Sequence, residues 1–317
     1  MSKSQGMLYL CATPIGNLGD MTQRVLTTLH EADIIACEDT RNSRKLFSHF
    51  GIAVTPLSKS LLQKSQDSDP GKDSSTAESF TDEGRHRTFI TSYHDHNRYD
   101  KARELADFLH CGFHVALVTD AGMPAISDPG YELVALCHEE GIPVTALPGA
   151  CALVTALALS GIYPRRFVFE GFLPDKKEKE QVLKALGEEE RTIILYEAPH
   201  RLRRTLKELE RVFGPDRRLA LCRELTKKFE EVKRQTIAEA IAFYETQEPR
   251  GEYVLVVEGR SREEAEAVKR QSFEEMSLKE HVEMYEAQGM DRKEAMKKAA
   301  ADLGVSKRDI YNALLKL

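Results

Sequence analysis

HVALVTDAGMPAISDPG, residues 114–130, begins as a short apolar run of the kind made by a strand buried on both faces. Two aspartates, two prolines and two glycines follow within the next dozen residues, Thr119–Gly130. Gly122 and Gly130 permit tight backbone paths, while Pro124 and Pro129 stiffen them and remove N–H donors. Ligands of open α/β sheets bind beyond the carboxyl ends of strands, and Asp120 stands at such an end. A loop that offers carbonyls and few free N–H groups suits a neutral or cationic ligand better than a phosphate. A sulfonium compound with an adenosine and an amino-acid tail meets that demand.

The same rhythm extends in both directions. MLYLCA and DIIACE read as strands, and MTQRVLTTLHEA, RNSRKLFSHF and YDKARELADFLHCG as helices. Beyond the opening stretch come the helix GYELVALCHEEG and the strand PVTAL. Short apolar runs between amphipathic helices predict a mainly parallel sheet covered on both faces. PGACALVTALALSG is apolar all round and predicts a buried helix. From there a second unit runs through RFVFEGFL, TIILYEA, RLALCREL, EEVKRQTI and EYVLVVEG. Consecutive strands near 219–237 predict a mixed sheet. The expectation is an α/β protein with an N-terminal α/β domain at 7–148, a second at 149–260 and a helical domain at 272–317.

Two further strand-end loops resemble the first in kind. TPIGNLGD (13–20) has G-x-x-G spacing, which is neither the dinucleotide fingerprint nor a P-loop, and it is equally readable as a tight βα turn. LPGACA (147–152) places Gly149 where a strand ends and the apolar helix starts.

Composition narrows the field. The chain has 317 residues, 41% hydrophobic and 30% charged, with a net charge of −6, so any basic surface is local. Six cysteines lie far apart without C-x-x-C, which predicts buried, reduced thiols and a cytoplasmic protein. No apolar run reaches the roughly 18 residues of a membrane span, and MSKSQG lacks a signal-peptide core. Residues 58–87 are rich in Ser, Asp, Lys and Gly and predict an inserted flexible loop, or alternatively a substrate-gripping lid. In the tail, DRKEAMKKAAADLG and SKRDIYNALLKL predict two helices capped by Asp291 and Ser306 around a tight turn, a helix-turn-helix pattern. Seven positive and three negative side chains from Arg292 onward make this unit a nucleic-acid candidate or an ordinary solvated hairpin.

TPIGNLGD, ACEDTR (36–41), SYHDHN (92–97), TDAGMPAISDPG, LPGACA, YEAPHR (196–201) and RELTKKFEE (223–231) stand in this chain in the order seen in the ribosomal RNA small subunit methyltransferase I family, a branch of the tetrapyrrole-methylase superfamily. The chain resembles that family over about Met7–Gly259 and in its tail, and departs from it at 58–87. The resemblance implies two αβα domains with S-adenosyl-L-methionine between them, plus the small helix-turn-helix-like unit. It also implies 2′-O-methylation of a cytidine in the decoding region of 16S rRNA, with the 30S subunit as partner, and a homodimer. Carried across, it implies a donor site lined by Pro14, by Asp120, Gly122, Met123, Ala125, Ile126 and Ser127, by Pro148, Gly149 and Ala150, and by Tyr196 and Ala198.

Candidates for catalysis are Glu38 and Asp39, just after a strand end, and Lys227. The alternative for the first two is that Asp39 caps the next helix while Glu38 pairs with Arg41. Candidates for RNA phosphates are Arg41, Arg44, Arg201, Lys307 and Arg308, although Arg201 is equally readable as the solvated side of a helix. His94 and His96 are too few ligands for a metal, and none is expected. Two other functions compete: carbon methylation of a corrin-type ring on the same scaffold, and a non-enzymatic nucleic-acid binder acting through the tail.

Overall fold

The computed structural model describes residues 5–58, 81–82, 85–261, 263–267 and 276–314. The inserted loop expected at 58–87 lies mostly outside the described residues; its described part includes the short pair β4 (Thr81–Asp82) and β5 (Arg85–His86).

Six parallel strands form the first sheet: β1 (Leu8–Cys11), β2 (Ile34–Cys37), β3 (Val54–Pro56), β6 (Thr88–Ser92), β7 (Val115–Val118) and β8 (Val144–Leu147). Their order is β3-β6-β2-β7-β1-β8. Every residue of β2 and β7 is buried, as a parallel sheet covered on both faces requires. Alternate residues enter opposite cores. Ile34, Ala36, Val115 and Leu117 pack with α3 (Arg98–His110) and α4 (Tyr131–Glu139). Ile35, Cys37, Ala116 and Val118 pack with α1 (Gln23–Glu31) and α2 (Thr40–His49).

From β1 the chain crosses to β2 on one side; from the adjacent β7 it crosses to β8 on the other. Their helices, α1 and α4, cover opposite faces. Neighbouring strands whose connections diverge in this way open a crevice at their carboxyl ends. The loops that border it are TPIGNLGD and TDAGMPAISDPG.

The second sheet has the order β12-β11-β13-β10-β9. Its strands are β9 (Phe167–Phe172), β10 (Thr192–Glu197), β11 (Arg218–Arg223), β12 (Glu231–Thr236) and β13 (Tyr253–Val257). Only β9 and β10 run parallel; the remaining pairs are antiparallel, as the consecutive strands in the sequence require. One face packs on α6 (Lys176–Gly187), α7 (Pro199–Phe213) and α8 (Ile237–Thr246). The other packs on α5 (Ala152–Ser160), the apolar helix, through Leu153, Ala156 and Leu157. Because α5 leaves β8 of the first sheet and lies on the second, it fixes one half of the molecule against the other.

The tail folds as α9 (Leu278–Ala287), α10 (Arg292–Asp302) and α11 (Lys307–Leu314) around Val282, Ala295, Ala299 and Ile310. Asp291 caps α10 by accepting from the Glu294 N–H at 2.8 Å. Ser306 and Asp309 bond reciprocally at the start of α11, the cap predicted from their spacing. All six cysteines are free thiols. Among the described residues, no helix is long and apolar enough to cross a membrane.

Candidate active site

The three strand-end loops are tied to one another. Thr13 and Gly122 exchange backbone hydrogen bonds of 2.9 and 3.0 Å, and the buried Thr13 hydroxyl donates to the Thr119 carbonyl at 3.0 Å. Gly122 has φ +86°, and a Cβ there would lie 3.3 Å from Ile15 Cγ2 and 3.6 Å from the Ala150 carbonyl. One position thus touches all three loops, and a side chain would fill their meeting point. Gly149 serves the junction differently: a Cβ there would come within 2.7 Å of that of Ala12. Ala125, at φ +65°, holds a conformation that side chains resist.

The second sheet supplies the facing wall. At the end of β10, Tyr196 accepts a hydrogen bond from the Leu153 N–H at the start of α5, 3.2 Å away. Phe169 and Phe172 pack edge-on against its ring. Glu197, 2% exposed, accepts from the Ala198 N–H at 2.8 Å and from the Thr205 hydroxyl. Pro199 starts α7, where its missing N–H costs nothing.

A cavity of about 430 Å³ lies between the two walls. Of the expected donor residues, Gly122, Met123, Ile126, Ser127, Tyr196 and Ala198 line it. Pro14, Asp120, Ala125, Pro148, Gly149 and Ala150 do not. Asp120 accepts from Asn42 Nδ2 at 3.0 Å, on the α2 side of the crevice.

The expected catalytic residues separate. Asp39 caps α2 and forms a bidentate pair with Arg41, the helix-cap alternative. The hydrogen bonds from the Arg41 guanidinium and N–H pull its carboxyl down to about 2, too weak a base for a hydroxyl. The partner of Arg41 is Asp39, not the Glu38 of that alternative. Burial, and next the Asp120 charge, raise the Glu38 carboxyl, but Glu38 is not among the lining residues. Lys227 does line the cavity, its stem lying across Gly16 and its Nζ bonded to Glu224 at 3.0 Å and Glu252 at 2.7 Å. Burial works against its charge, but the two glutamates outweigh it and its pKa is raised, so it stays an ammonium and is no base. The turn that carries it holds Glu224 and Thr226 at φ +51° and +63°.

Asp128, inside the opening stretch, is a lining carboxylate that sequence reasoning missed, as are Glu197 and Glu252. Burial first, then the charges of Glu38 and Asp120, push Asp128 up to about 6. Its signal was present in SDPG, where it reads as a turn residue. Leu225, within RELTKKFEE, also lines the cavity, as do Phe172, Cys222 and Tyr253, which no motif marks.

Arg41 and Arg44 are exposed on α2, and Arg308 is exposed on α11 with Lys307 half-buried beside it. Arg201 is engaged within the chain: it donates to the Leu173 carbonyl at 2.7 Å and lies 3.6 Å from Glu197. Its reading as the solvated side of a helix does not hold. Among the described residues there is no group of three or more His, Cys, Asp or Glu side chains able to hold a metal.

A family model described as Tetrapyrrole (Corrin/Porphyrin) Methylases matches residues 7–241. The "Ribosomal RNA small subunit methyltransferase I" of Synechocystis sp. is 43% identical over 313 residues, 98% of each chain. The protein of the same name from Bacillus subtilis is 44% identical, covering 97% of this chain and 94% of its own. That from Escherichia coli O157:H7 is 42% identical, covering 82% and 80%. Among solved structures, diphthine synthase superposes with a TM-score of 0.55 at 12% identity, covering 80% of this chain and 90% of its own. The methyltransferase CobJ superposes with a TM-score of 0.52 at 19% identity, covering 80% and 94%. At such identities these two share the fold alone. The near-full-length kinship instead sets aside both the corrin-methylating and the non-enzymatic alternatives: the chain is a methyltransferase, a tetrapyrrole-methylase by fold, and belongs to the ribosomal RNA small subunit methyltransferase I family.

Proposed function

We propose that the chain methylates the 2′-hydroxyl of a cytidine in the 16S rRNA of the 30S subunit, in the cytoplasm, with S-adenosyl-L-methionine as donor. The observation that carries this reading is the cavity between the sheets, lined mainly by apolar side chains with carboxylates on both walls, Asp128 on one and Glu197 and Glu252 on the other. Its chemistry fits the donor. Tyr196, Phe172 and Met123 offer apolar surface to an adenosine and a thioether, while Ser127 and Glu197 offer oxygens to a cationic tail. The lining cation Lys227 is neutralised by two glutamates, so nothing in this lining favours a phosphate. Gly122 lets backbone approach the ligand where a Cβ would intrude.

When bound, the sulfonium compound supplies an already activated methyl group. The protein's task is to align the hydroxyl, exclude water and accept a proton. Asp128 is the base: its carboxylate would take the 2′-hydroxyl proton, while a bound donor would give up its methyl group to that oxygen, breaking its carbon–sulfur bond and leaving as the neutral thioether. A carboxyl near 6 is mostly ionised at pH 7 yet more basic than an ordinary aspartate. Glu38 acts through Asp128, by keeping its carboxyl raised. A homodimer belongs to this reading, with the exposed Val154 and Leu159 of the otherwise apolar α5 as surface for a second copy.

The test is methyl transfer to unmethylated 30S subunits beside naked 16S rRNA, with the modified nucleoside identified by mass. The reading requires 2′-O-methylcytidine in at least one of the two. A protein that binds S-adenosylhomocysteine and methylates neither contradicts it.

A further inference from the structure

A second cleft, of about 600 Å³, lies where β9, β10 and β11 begin, at the opposite edge of the second sheet from the donor cavity. It is lined by Arg165, Arg166, Arg191, Arg217, Arg218 and Arg260, against the carboxylates of Glu190, Asp216, Glu258 and Glu264, which leaves it net positive in a chain of net charge −6. Three of these are committed: Arg191 to Glu189, Arg217 to Glu264 and Arg218 to Glu258. Arg165, Arg166 and Arg260 have no carboxylate partner among the described residues, and Arg260 Nε is buried without an acceptor. The sequence that enters β9 here is YPRRF, residues 163–167, exposed throughout, with Tyr163 66% and Phe167 39% accessible.

The edge strand β9 connects this cleft to the donor cavity. Its register against β10 passes from Ile194↔Phe169 to Leu195↔Gly171, leaving Glu170 as a bulge. One extra residue shifts the alternation, so Phe167, Phe169 and Phe172 fall on one face. Phe167 adjoins Arg166 at one end; Phe172, 54% exposed, lines the donor cavity at the other, about 17 Å along the strand. Unpaired cations beside exposed aromatic rings, on a path that ends at a catalytic cavity, match how proteins hold an unpaired nucleic-acid strand. Phosphates rest on arginine and bases stack on rings. A small free anion would have no use for the rings.

We propose that the arginine cleft and this face of β9 form a track for single-stranded RNA, with phosphates on Arg165, Arg166 and Arg260 and bases on Tyr163 and Phe167, that delivers the target nucleotide to the donor cavity at Phe172. The proposal rests on the RNA-substrate reading and adds where the strand lies.

The experiment titrates the full chain with a fluorescein-labelled single-stranded oligocytidine at several salt concentrations, with S-adenosylhomocysteine binding as a control of folding. The double variant Arg165→Glu/Arg166→Glu is expected to bind RNA at least about tenfold more weakly, with the slope of log K against log salt lower by about 1.4, two single-strand phosphate contacts. Tyr163→Ala is expected to lose about tenfold with the slope unchanged. Arg165→Lys/Arg166→Lys keeps the slope, and all three variants bind S-adenosylhomocysteine as the wild type does. A wild type that binds RNA, beside a double variant with equal affinity and slope, overturns the track alone. A wild type that binds S-adenosylhomocysteine and no oligocytidine overturns the track, whereas the substrate reading falls only if 30S subunits and 16S rRNA also go unmethylated. Loss of RNA binding accompanied by dissociation of a dimer in sedimentation overturns the track in favour of an interface between copies.

Discussion

The two walls of the donor cavity come from sheets of different construction. The first wall is made of loops at the carboxyl rim of a parallel sheet, at the point where β1 and β7 send their chains to opposite faces. Its backbone is held by the Thr13–Gly122 pair, and burial, followed by the charges of Glu38 and Asp120 behind it, raises the basicity of its lining carboxylate Asp128. The second wall comes from a mixed sheet and is largely side chains: the Tyr196 ring with Phe169 and Phe172 against it, and Cys222 and Tyr253 from antiparallel strands. The comparison assigns chemistry to the first wall and grip to the second. Damage to the carboxylates of the first should therefore appear in turnover, and damage to its backbone junction or to the second wall in affinity and stability.

The largest expected effect is on the first wall. Asp128→Asn should lower kcat by about 10²–10⁴-fold, with the Kd for S-adenosylhomocysteine nearly unchanged. In the wild type, single-turnover rates should rise with pH to a plateau above about 6, and the variant should lose that limb. A variant that keeps the limb, or loses donor affinity in proportion to rate, would move Asp128 from catalysis to binding.

Next in size is Gly122→Val. Its φ of +86° and its 3.3 Å approach to Ile15 combine strain with intrusion into the junction. The strain alone is on the order of 1–3 kcal/mol, and calorimetry should show donor affinity reduced tenfold or more. The second wall is probed by Tyr196→Phe, which leaves the Leu153 N–H without its acceptor. A loss of about 1 kcal/mol in unfolding free energy, with kcat little changed, is expected.

Asp128 also makes a stability prediction whose sign opposes its catalytic role. Its folded pKa is raised from 3.8 to about 6, so ionisation is harder in the folded protein. The favourable contribution is complete below about 4 and is lost as pH rises through about 6. Asp128→Asn should therefore be more stable than wild type at pH 7, by on the order of 1 kcal/mol after allowance for water screening. The gain should vanish below pH 4 in denaturant titrations. The smallest effect belongs to Glu38→Gln, which removes the largest charge acting on Asp128 and should move the acid limb of the rate profile downward by a fraction of a unit.

The same contrast explains what the sequence disclosed. Parallel strands such as IIAC and VALV are short and wholly apolar, and their exits are punctuated by glycine and proline, so the first wall was legible as loops. The antiparallel pairing near 219–237 was legible from two strands with no helix between them. The loops at 119–130, 147–152 and 196–199 all supplied lining residues, the second through Cys151 and Ala152, while its Gly149 supports the junction. Tyr253 and Cys222 were illegible because their strands place them at the cavity through pairing across the sheet, which leaves no local mark. The charge state of Lys227 was illegible, since one of its two glutamate partners, 25 residues away in sequence, reaches it only when β11 and β13 meet. Asp128 was quoted and passed over, because its basicity depends on burial in the fold and next on Glu38 at the end of a different strand.

The most direct test of a donor site shared by the two halves is amide hydrogen exchange with and without saturating S-adenosylhomocysteine. Slowed exchange at 121–128, 151–153 and 196–198 together is the predicted result, with the remote strands unaltered. Saturating binding that leaves these three segments exchanging at their free rates, or protects segments of one half alone, would contradict it.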